Sequence, residues 1–141
     1  MTNDPDMEDL QTTYPGAGTF VFGDSAKMSA RLTDLARRKT KRANFGDWQD
    51  FDGDEDALPK VGRCDIVANW DGTPALVVRT TEVTMVKFNE VTAAMAISEG
   101  SKSLADWTAT YTSYFKRNGH FEPDMMLVFE RFELVEDLAD R

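Results

Sequence analysis

RCDIVANWDGTPALVVRTTEVTMV, residues 63–86, is the stretch that decides the fold class of this chain. Val, Ile, Thr and aromatic residues recur in both of its halves, and these residue types favour strands. The halves are separated by Asp-Gly-Thr-Pro at residues 71–74, and Asp-Gly permits the positive φ angles of a tight hairpin turn. The stretch therefore predicts an antiparallel hairpin with strands over residues 63–70 and 75–86.

A helix is predicted on the N-terminal side of this hairpin. Gly-Asp-Ser at residues 23–25 supplies a turn and a cap after a short apolar stretch. Met28, Leu32 and Leu35 then follow at helical spacing. The pattern predicts a helix from about residue 26 to residue 38.

Two helices and a closing strand are predicted on the C-terminal side. Asn89 can cap a short helix that runs to about Ile97. Ser103, with Asp106 three residues later, resembles the start of a capping box and predicts a second helix. Residues 125–134 are predicted to form the closing strand.

The order of these elements indicates a single α+β domain in which a curled sheet is flanked by helices. The 141 residues, 41% of them hydrophobic, suffice for one core. We expect a flexible acidic leader over residues 1–18, the folded domain over residues 19–135 and a polar tail over residues 136–141.

Several classes of protein and site are disfavoured by the composition. No apolar run approaches the roughly 20 residues that a membrane span needs, and residues 1–9 are unlike a signal peptide, so we expect a cytoplasmic protein with no membrane partner. The single cysteine, Cys64, and the single histidine, His120, cannot assemble a Cys/His metal site. The acidic run at residues 47–56 departs from a calcium loop, because Glu55 occupies the position of the required glycine. We expect no cofactor.

A short basic run, RRKTKR at residues 37–42, contrasts with the acidic character of the chain. Lys and Arg number 16 in total against 25 Asp and Glu, and the formal net charge is −9. Cations at a helix C-terminus interact favourably with the helix dipole, so the run can be a solvated helix end. It can also be a binding site for an anionic partner. Both interpretations are open.

A series of motifs in this chain resembles the ASCH domain family. They are Phe22-Gly23-Asp24 before the first helix, Arg38-Lys39-Thr40 at its end, residues 58–62 before a strand, residues 98–107 followed by Tyr114-Phe115, and the strand at residues 126–132. The resemblance covers residues 19–135. It implies a β-barrel similar to the PUA domain, a cleft between barrel and helices, and a role in binding RNA or modified nucleosides.

Some members of this family are enzymes. A small bacterial branch, which this chain resembles, hydrolyses the acetyl amide of N4-acetylcytidine with a Lys-x-x-Thr segment and a glutamate. Lys39 matches the lysine and Glu99 the glutamate, so the resemblance implies these two as catalytic candidates. The threonine position holds Arg42, which has no nucleophilic oxygen and stays protonated. Lys39 and Glu99 can also form a structural ion pair.

Binding is the function that we prefer, with single-stranded RNA, a nucleoside or a nucleotide as the partner. The net charge of −9 disfavours long duplex DNA. The predicted binding residues are Arg38, Lys39, Thr40, Lys41, Arg42, Glu99 and Trp107. Trp107 could offer a stacking surface, although an aromatic residue at helical spacing also suits a core. The alternatives are a hydrolase that acts on RNA or on a nucleoside amide, and a protein-interaction domain; the oligomeric state is not indicated.

Overall fold

The computed structural model describes residues 10–140, which form a mixed sheet and the helices that pack on it. Residues 10–13 are helical, and the helices that follow are α1 (Ala26–Arg37), α2 (Ala93–Glu99) and α3 (Leu104–Arg117). The strands are β1 (Thr19–Phe20), β2 (Ala43–Asp47), β3 (Cys64–Ala68), β4 (Pro74–Lys87) and β5 (Met126–Asp137). Short 3-10 turns cover Trp48–Phe51, Glu55–Ala57, Phe88–Glu90 and Leu138–Asp140. No helix within residues 10–140 is long and apolar enough to cross a membrane.

The strands form one open sheet in the order β1-β3-β4-β5-β2. β1 pairs in parallel with β3, and every other neighbouring pair is antiparallel. The predicted hairpin is confirmed as β3 and β4, in which Cys64 pairs with Arg79 and Val67 with Leu76. The α+β class is confirmed as well. The sheet does not close into the expected barrel, because β1 and β2 lie at its two ends without pairing with each other.

β4 is the longest strand and connects the two halves of the sheet. Its first half pairs with β3, whereas β5 accompanies it over most of its length. The β4–β5 register shifts between Val77 and Val78 and again between Thr80 and Glu82. Such bulges bend a strand and increase its twist. They explain how an open sheet can present separate surfaces to α1 and α3.

Two apolar clusters hold the helices on the sheet. Leu32 and Ala36 of α1 belong to one cluster, together with residues of the β3–β4 hairpin such as Leu76. Trp107 of α3 belongs to the other, with Phe129 of β5 and residues of α2 and β2. Because β5 contributes to both clusters, it fixes α1 and α3 relative to each other.

The predicted starts of α1 and α3 are confirmed. The hydroxyls of Ser25 and Ser103 each accept a hydrogen bond from the backbone N–H three residues later, at 3.1 Å. The start of α2 was predicted wrongly: Thr92, and not Asn89, is its cap. Asn89 lies instead in a 3-10 turn that precedes the helix.

Parts of the predicted leader and tail pack on the domain. Residues 1–9 and Arg141 lie outside the described residues. Leu10 is fully buried in a cluster with Ile66 and Val77 of the hairpin. The Tyr14 hydroxyl donates to the Glu136 carboxylate at 2.8 Å, and Glu136 belongs to β5. This segment therefore packs on the sheet. One leucine among acidic residues does not indicate such packing in the sequence.

Candidate functional site

A buried ion pair joins the segment after α1 to the end of α2. The Lys41 ammonium donates to Glu99 Oε1 at 3.2 Å, and the two side chains are 0% and 2% exposed. The same ammonium donates to the backbone carbonyl oxygens of Ala43, at 2.7 Å, and of Glu99, at 3.3 Å. Charged side chains are rarely buried this completely unless they are paired. This pair is therefore the starting point for a candidate site.

The backbone reaches Lys41 through a left-handed turn at the end of α1. Lys39 adopts φ +64°, and the N–H groups of Thr40 and Lys41 both donate to the carbonyl oxygen of Leu35 at 3.0 Å. This turn satisfies the free carbonyl groups of the helix end. It also leaves Lys39 exposed, whereas Lys41 is buried just before β2 begins at Ala43.

Three side chains donate hydrogen bonds to the Glu99 carboxylate. Besides Lys41, the Tyr111 hydroxyl donates to Oε1 at 2.5 Å, and the Ser101 hydroxyl donates to Oε2 at 2.8 Å. Gly100 follows with φ +115°, and a Cβ at this position would lie 3.3 Å from Lys41 Cβ. Glycine tolerates both this backbone conformation and the close approach. The end of α2 can therefore reach Lys41.

Burial shifts the pKa values of this centre. Loss of solvation lowers the pKa of Lys41 below its usual 10.5, and the negative charge of Glu99 opposes the shift. Burial, followed by the charge of Glu99, raises the pKa of Tyr111 well above 10.0. Every hydrogen bond of Lys41 Nζ goes to an oxygen acceptor, which favours the ammonium form. The centre thus combines a cation, an anion and a neutral phenol that can orient a polar ligand.

Glu99 and Tyr111 form part of the floor of a cavity of about 460 Å³ between α1, α3 and the loop after α2. The other lining residues are the apolar Leu32 and Leu35, the cationic Arg31, Arg38 and Lys102, and Gly100, Ser101, Asp106 and Thr110. A void of about 60 Å³ shares Leu32 and Tyr111 with this cavity and extends to Asn44. A concave site with apolar walls and a few polar groups is typical of small-ligand binding.

A second polar pair lies outside this cavity. His120 Nδ1 and Asp47 Oδ2 are 2.6 Å apart, and this hydrogen bond raises the pKa of His120 above 6.5. Both residues line a cavity of about 440 Å³ with Asp50, whose carboxyl pKa is raised by burial. Among residues 10–140, no group of three or more His, Cys, Asp or Glu side chains is placed to hold a metal ion. The hydrogen bond to Asp47 ties His120 to the end of β2.

Comparison with known proteins identifies the family of this chain. The sequence model of the ASCH domain matches residues 18–136. The chain belongs to the ASCH domain family. An ASCH domain from Lactobacillus crispatus, known from a crystal structure, is 30% identical to this chain in sequence. Its structure matches with a TM-score of 0.80, over 90% of this chain and 84% of that chain. Protein EF3133 from Enterococcus faecalis, of the DUF984 family, is 28% identical, with a TM-score of 0.84 over 95% of this chain and 88% of that chain. No curated protein matches the chain significantly.

The two residues that the sequence suggested as a catalytic pair are not paired in this ASCH domain. The lysine that contacts Glu99 is Lys41, while Lys39 is exposed in the preceding turn. The predicted Lys39–Glu99 pair is therefore wrong, because the left-handed turn decides which lysine is buried. Counted from Lys41, the threonine position of the Lys-x-x-Thr pattern holds Asn44, and not Arg42. Asn44 Oδ1 lies 3.5 Å from Lys41 Nζ.

The other members of the basic run occupy different environments. Arg38 lines the cavity and pairs with Asp34 at 2.7 Å on the surface of α1. Lys39, Thr40 and Arg42 are exposed and do not line the cavity. The run is therefore divided between the cavity lining, the buried Lys41 and the exposed surface.

Trp107 belongs to the core and offers no stacking surface. Its side chain is 0% exposed, and its ring centroid lies 4.9 Å from that of Phe45 and 4.8 Å from that of Phe88. The alternative that Trp107 belongs to the core is confirmed, and its buried ring has no free face on which a base could stack.

Sequence reasoning missed Arg31, Ser101 and Lys102 as residues of the cavity. Arg31 lies in α1 and Arg38 directly follows its last residue. Their spacing of seven residues places them on one side of the helix, and this signal was available in the sequence. Ser101 and Lys102 carried no such signal, because the loop after α2 approaches α1 only in the folded domain.

Proposed function

We propose that the cleft of this ASCH domain binds one nucleoside unit, either as a free modified nucleoside or within a short single-stranded RNA. The proposal rests on the Glu99 carboxylate, which three donors hold at the floor of a cavity of about 460 Å³. The ASCH family is PUA-like and generally RNA-binding, which supports the same class of ligand.

The Glu99 carboxylate keeps acceptor capacity for a ligand. Oε1 accepts hydrogen bonds from Lys41 and Tyr111, whereas Oε2 accepts one from Ser101. A carboxylate oxygen has two lone pairs, so Oε2 can accept a further hydrogen bond from an amino or imino group of a base. A hydrogen bond to a charged acceptor contributes more than one between neutral groups. Glu99 is therefore the residue that would select a base by its N–H donors.

The cavity walls supply apolar contact for the flat faces of a base. Leu32 and Leu35 come from α1, and the ring of Tyr111 comes from α3. Proteins bind unpaired bases by stacking them on aromatic or apolar side chains. Entry into this cavity would require a base that is free of pairing. The net charge of −9 opposes a long polyanion, so a short single strand or a nucleoside suits the cleft better than duplex DNA.

The first test of the proposal is the affinity for nucleosides by calorimetry and for a short labelled single-stranded RNA by fluorescence anisotropy. Glu99→Gln keeps the shape of the side chain but removes the charged acceptor. A charged hydrogen bond contributes about 1.5–3 kcal/mol, so we expect an affinity loss of about tenfold or more. Glu133→Gln changes the same charge on the exposed side of β5 and should leave the affinity unchanged.

Glu99→Gln disturbs a buried pair, so a second variant keeps the test decisive. Ser101→Ala removes one donor at the edge of the same carboxylate and leaves the Lys41 pair intact. We expect a smaller but measurable change in affinity. If both variants fold, as judged by circular dichroism, and bind as the natural chain does, Glu99 does not contact the ligand and the proposal is refuted.

An amidohydrolase is the second candidate function, and the buried Lys41–Glu99 pair favours it. Asn44 occupies the position of the nucleophilic threonine and has no hydroxyl group. Incubation with N4-acetylcytidine and chromatography of the product would measure the reaction. Turnover by the natural chain that disappears in a Lys41→Met variant still folded by circular dichroism, but persists in Lys39→Met, would establish the enzyme and place Lys41 in its mechanism.

A further inference from the structure

Three cations surround the cavity beside α1. Arg31 lies in α1, Arg38 directly follows its last residue, and Lys102 comes from the loop after α2. The Arg31 side chain forms no ion pair within residues 10–140. Arg38 pairs with Asp34, and the two side chains are 63% and 50% exposed. An ion pair this exposed is weak and can exchange its carboxylate for another anion.

The charges that line this cavity leave a positive excess on an acidic protein. Glu99 is balanced by Lys41 beneath the floor. Asp106 is then the lining carboxylate that opposes the three cations. A local excess of one sign in a concave site concentrates ions of the opposite sign. This local excess contrasts with the net charge of −9 of the whole chain.

We propose that Arg31, Arg38 and Lys102 bind the phosphate group of a mononucleotide whose base lies against Glu99. The preferred ligand is then a nucleoside monophosphate, rather than a free nucleoside or an internal unit of a long RNA. This inference rests on the proposed function for the base half of the cavity and adds the phosphate half.

A phosphate monoester suits these cations for two reasons. Guanidinium groups bind phosphate oxygens through two parallel hydrogen bonds, and Arg31 and Arg38 bring two such groups to this cavity. A monoester carries about −1.5 to −2 charges at pH 7, compared with a single charge on an internal phosphodiester. The net charge of −9 on the whole chain opposes the further phosphates of a long strand. A terminal phosphate monoester therefore has the strongest attraction to the cations of the cavity and the weakest repulsion from the rest of the acidic chain.

The proposal is tested by calorimetry with two matched pairs of probes: cytidine with cytidine 5′-monophosphate, and adenosine with adenosine 5′-monophosphate. We expect at least one monophosphate to bind about tenfold or more tightly than its nucleoside. Between pH 5 and pH 7 the affinity for the monophosphate should rise, because the second phosphate pKa is about 6, while the affinity for the nucleoside should not follow this rise.

A double variant and its matched control locate the phosphate. Arg31→Gln with Arg38→Gln should remove the preference for the monophosphate and leave the affinity for the nucleoside unchanged. Lys39→Gln with Arg42→Gln removes the same charge from exposed positions outside the cavity lining and should keep the preference. An equal effect of both double variants would overturn the assignment to Arg31 and Arg38.

The outcomes separate this inference from the proposed function. Equal affinity for the nucleoside and its monophosphate would overturn the phosphate site while the nucleoside cleft stands. A short single-stranded RNA without a terminal phosphate that binds more tightly than either monophosphate would overturn the preference for a mononucleotide. An absence of binding by all four probes and by the RNA would overturn both proposals.

Discussion

Replacement of Lys41 by Met removes a buried cation while keeping an unbranched side chain of similar length. Glu99 would then be a carboxylate at 2% exposure without its counter-charge, with only the hydrogen bonds from Tyr111 and Ser101. Removal of one partner of a buried ion pair costs about 3–5 kcal/mol. The free energy of unfolding of a domain is typically about 5–15 kcal/mol, so the loss would be a large fraction of the total.

Urea denaturation followed by circular dichroism measures this loss. With a slope of about 2 kcal/mol per molar urea, typical of a domain, the unfolding midpoint should fall by about 1.5–2.5 M. Arg79→Met is the matched control, since it breaks the Arg79–Glu133 pair at 2.8 Å, whose side chains are 43% and 54% exposed. Solvent screens an exposed pair, so the control should move the midpoint far less.

The double variant Lys41→Met/Glu99→Gln distinguishes a lost charge pair from lost packing. Because it leaves no unpaired buried charge, it should recover part of the stability that Lys41→Met loses. The reasoning fails if Lys41→Met shifts the midpoint no more than Arg79→Met does. It also fails if the losses in free energy of unfolding caused by Lys41→Met and by Glu99→Gln simply add up in the double variant.

Three further predictions address the rest of the domain. The chain has one histidine, so a single set of ring proton resonances in NMR reports His120, whose pKa should lie above 6.5 and should fall in Asp47→Asn. The pKa of His120 is higher in the folded state, so the stability that the His120–Asp47 pair contributes is fully present below pH 6.5. This stability is lost as the pH rises through the pKa of His120 in the folded state. Thermal unfolding at several pH values should show the loss in the natural chain and not in Asp47→Asn. Trp107→Ala should cost about 3–5 kcal/mol in urea denaturation, because the indole is fully buried, and little loss would contradict its place in the core. Leu10→Ala should cost about 2–5 kcal/mol if the segment before β1 packs on the hairpin in solution, and an unchanged midpoint would show that it does not.

Local patterns predicted most of the elements of this fold. Asp71-Gly72 indicated the hairpin, and Ser25 and Ser103 indicated the starts of α1 and α3. Each of these signals depends on a few neighbouring residues, so it can be recognised without knowledge of the rest of the chain. β2 was missed, because the stretch between the basic run and the acidic run carries too few apolar residues to show a period of two. Its pairing with β5 depends on residues far along the chain.

The candidate site was predicted only in part. Of the predicted site residues, Glu99 and Arg38 line the cavity, whereas Lys39 is exposed outside it and Trp107 lies in the core. The family motifs indicated that a lysine and a glutamate meet. They did not indicate which lysine, because Lys39 and Lys41 lie in the same basic run and a motif defined by spacing along the chain can be aligned with either.

The sequence by itself determined the α+β class, the hairpin, the caps of α1 and α3 and the membership of the ASCH family. All of these depend on neighbours in the chain or on the order of short motifs. The tertiary structure alone decided that Lys41 is buried, that Trp107 is core, and that Arg31, Arg38 and Lys102 face one cavity. Lys41 and Glu99 are 58 residues apart in the chain, and they meet because a left-handed turn at Lys39 and a glycine at position 100 bring two helix ends together. Such a contact depends on the packing of the whole domain.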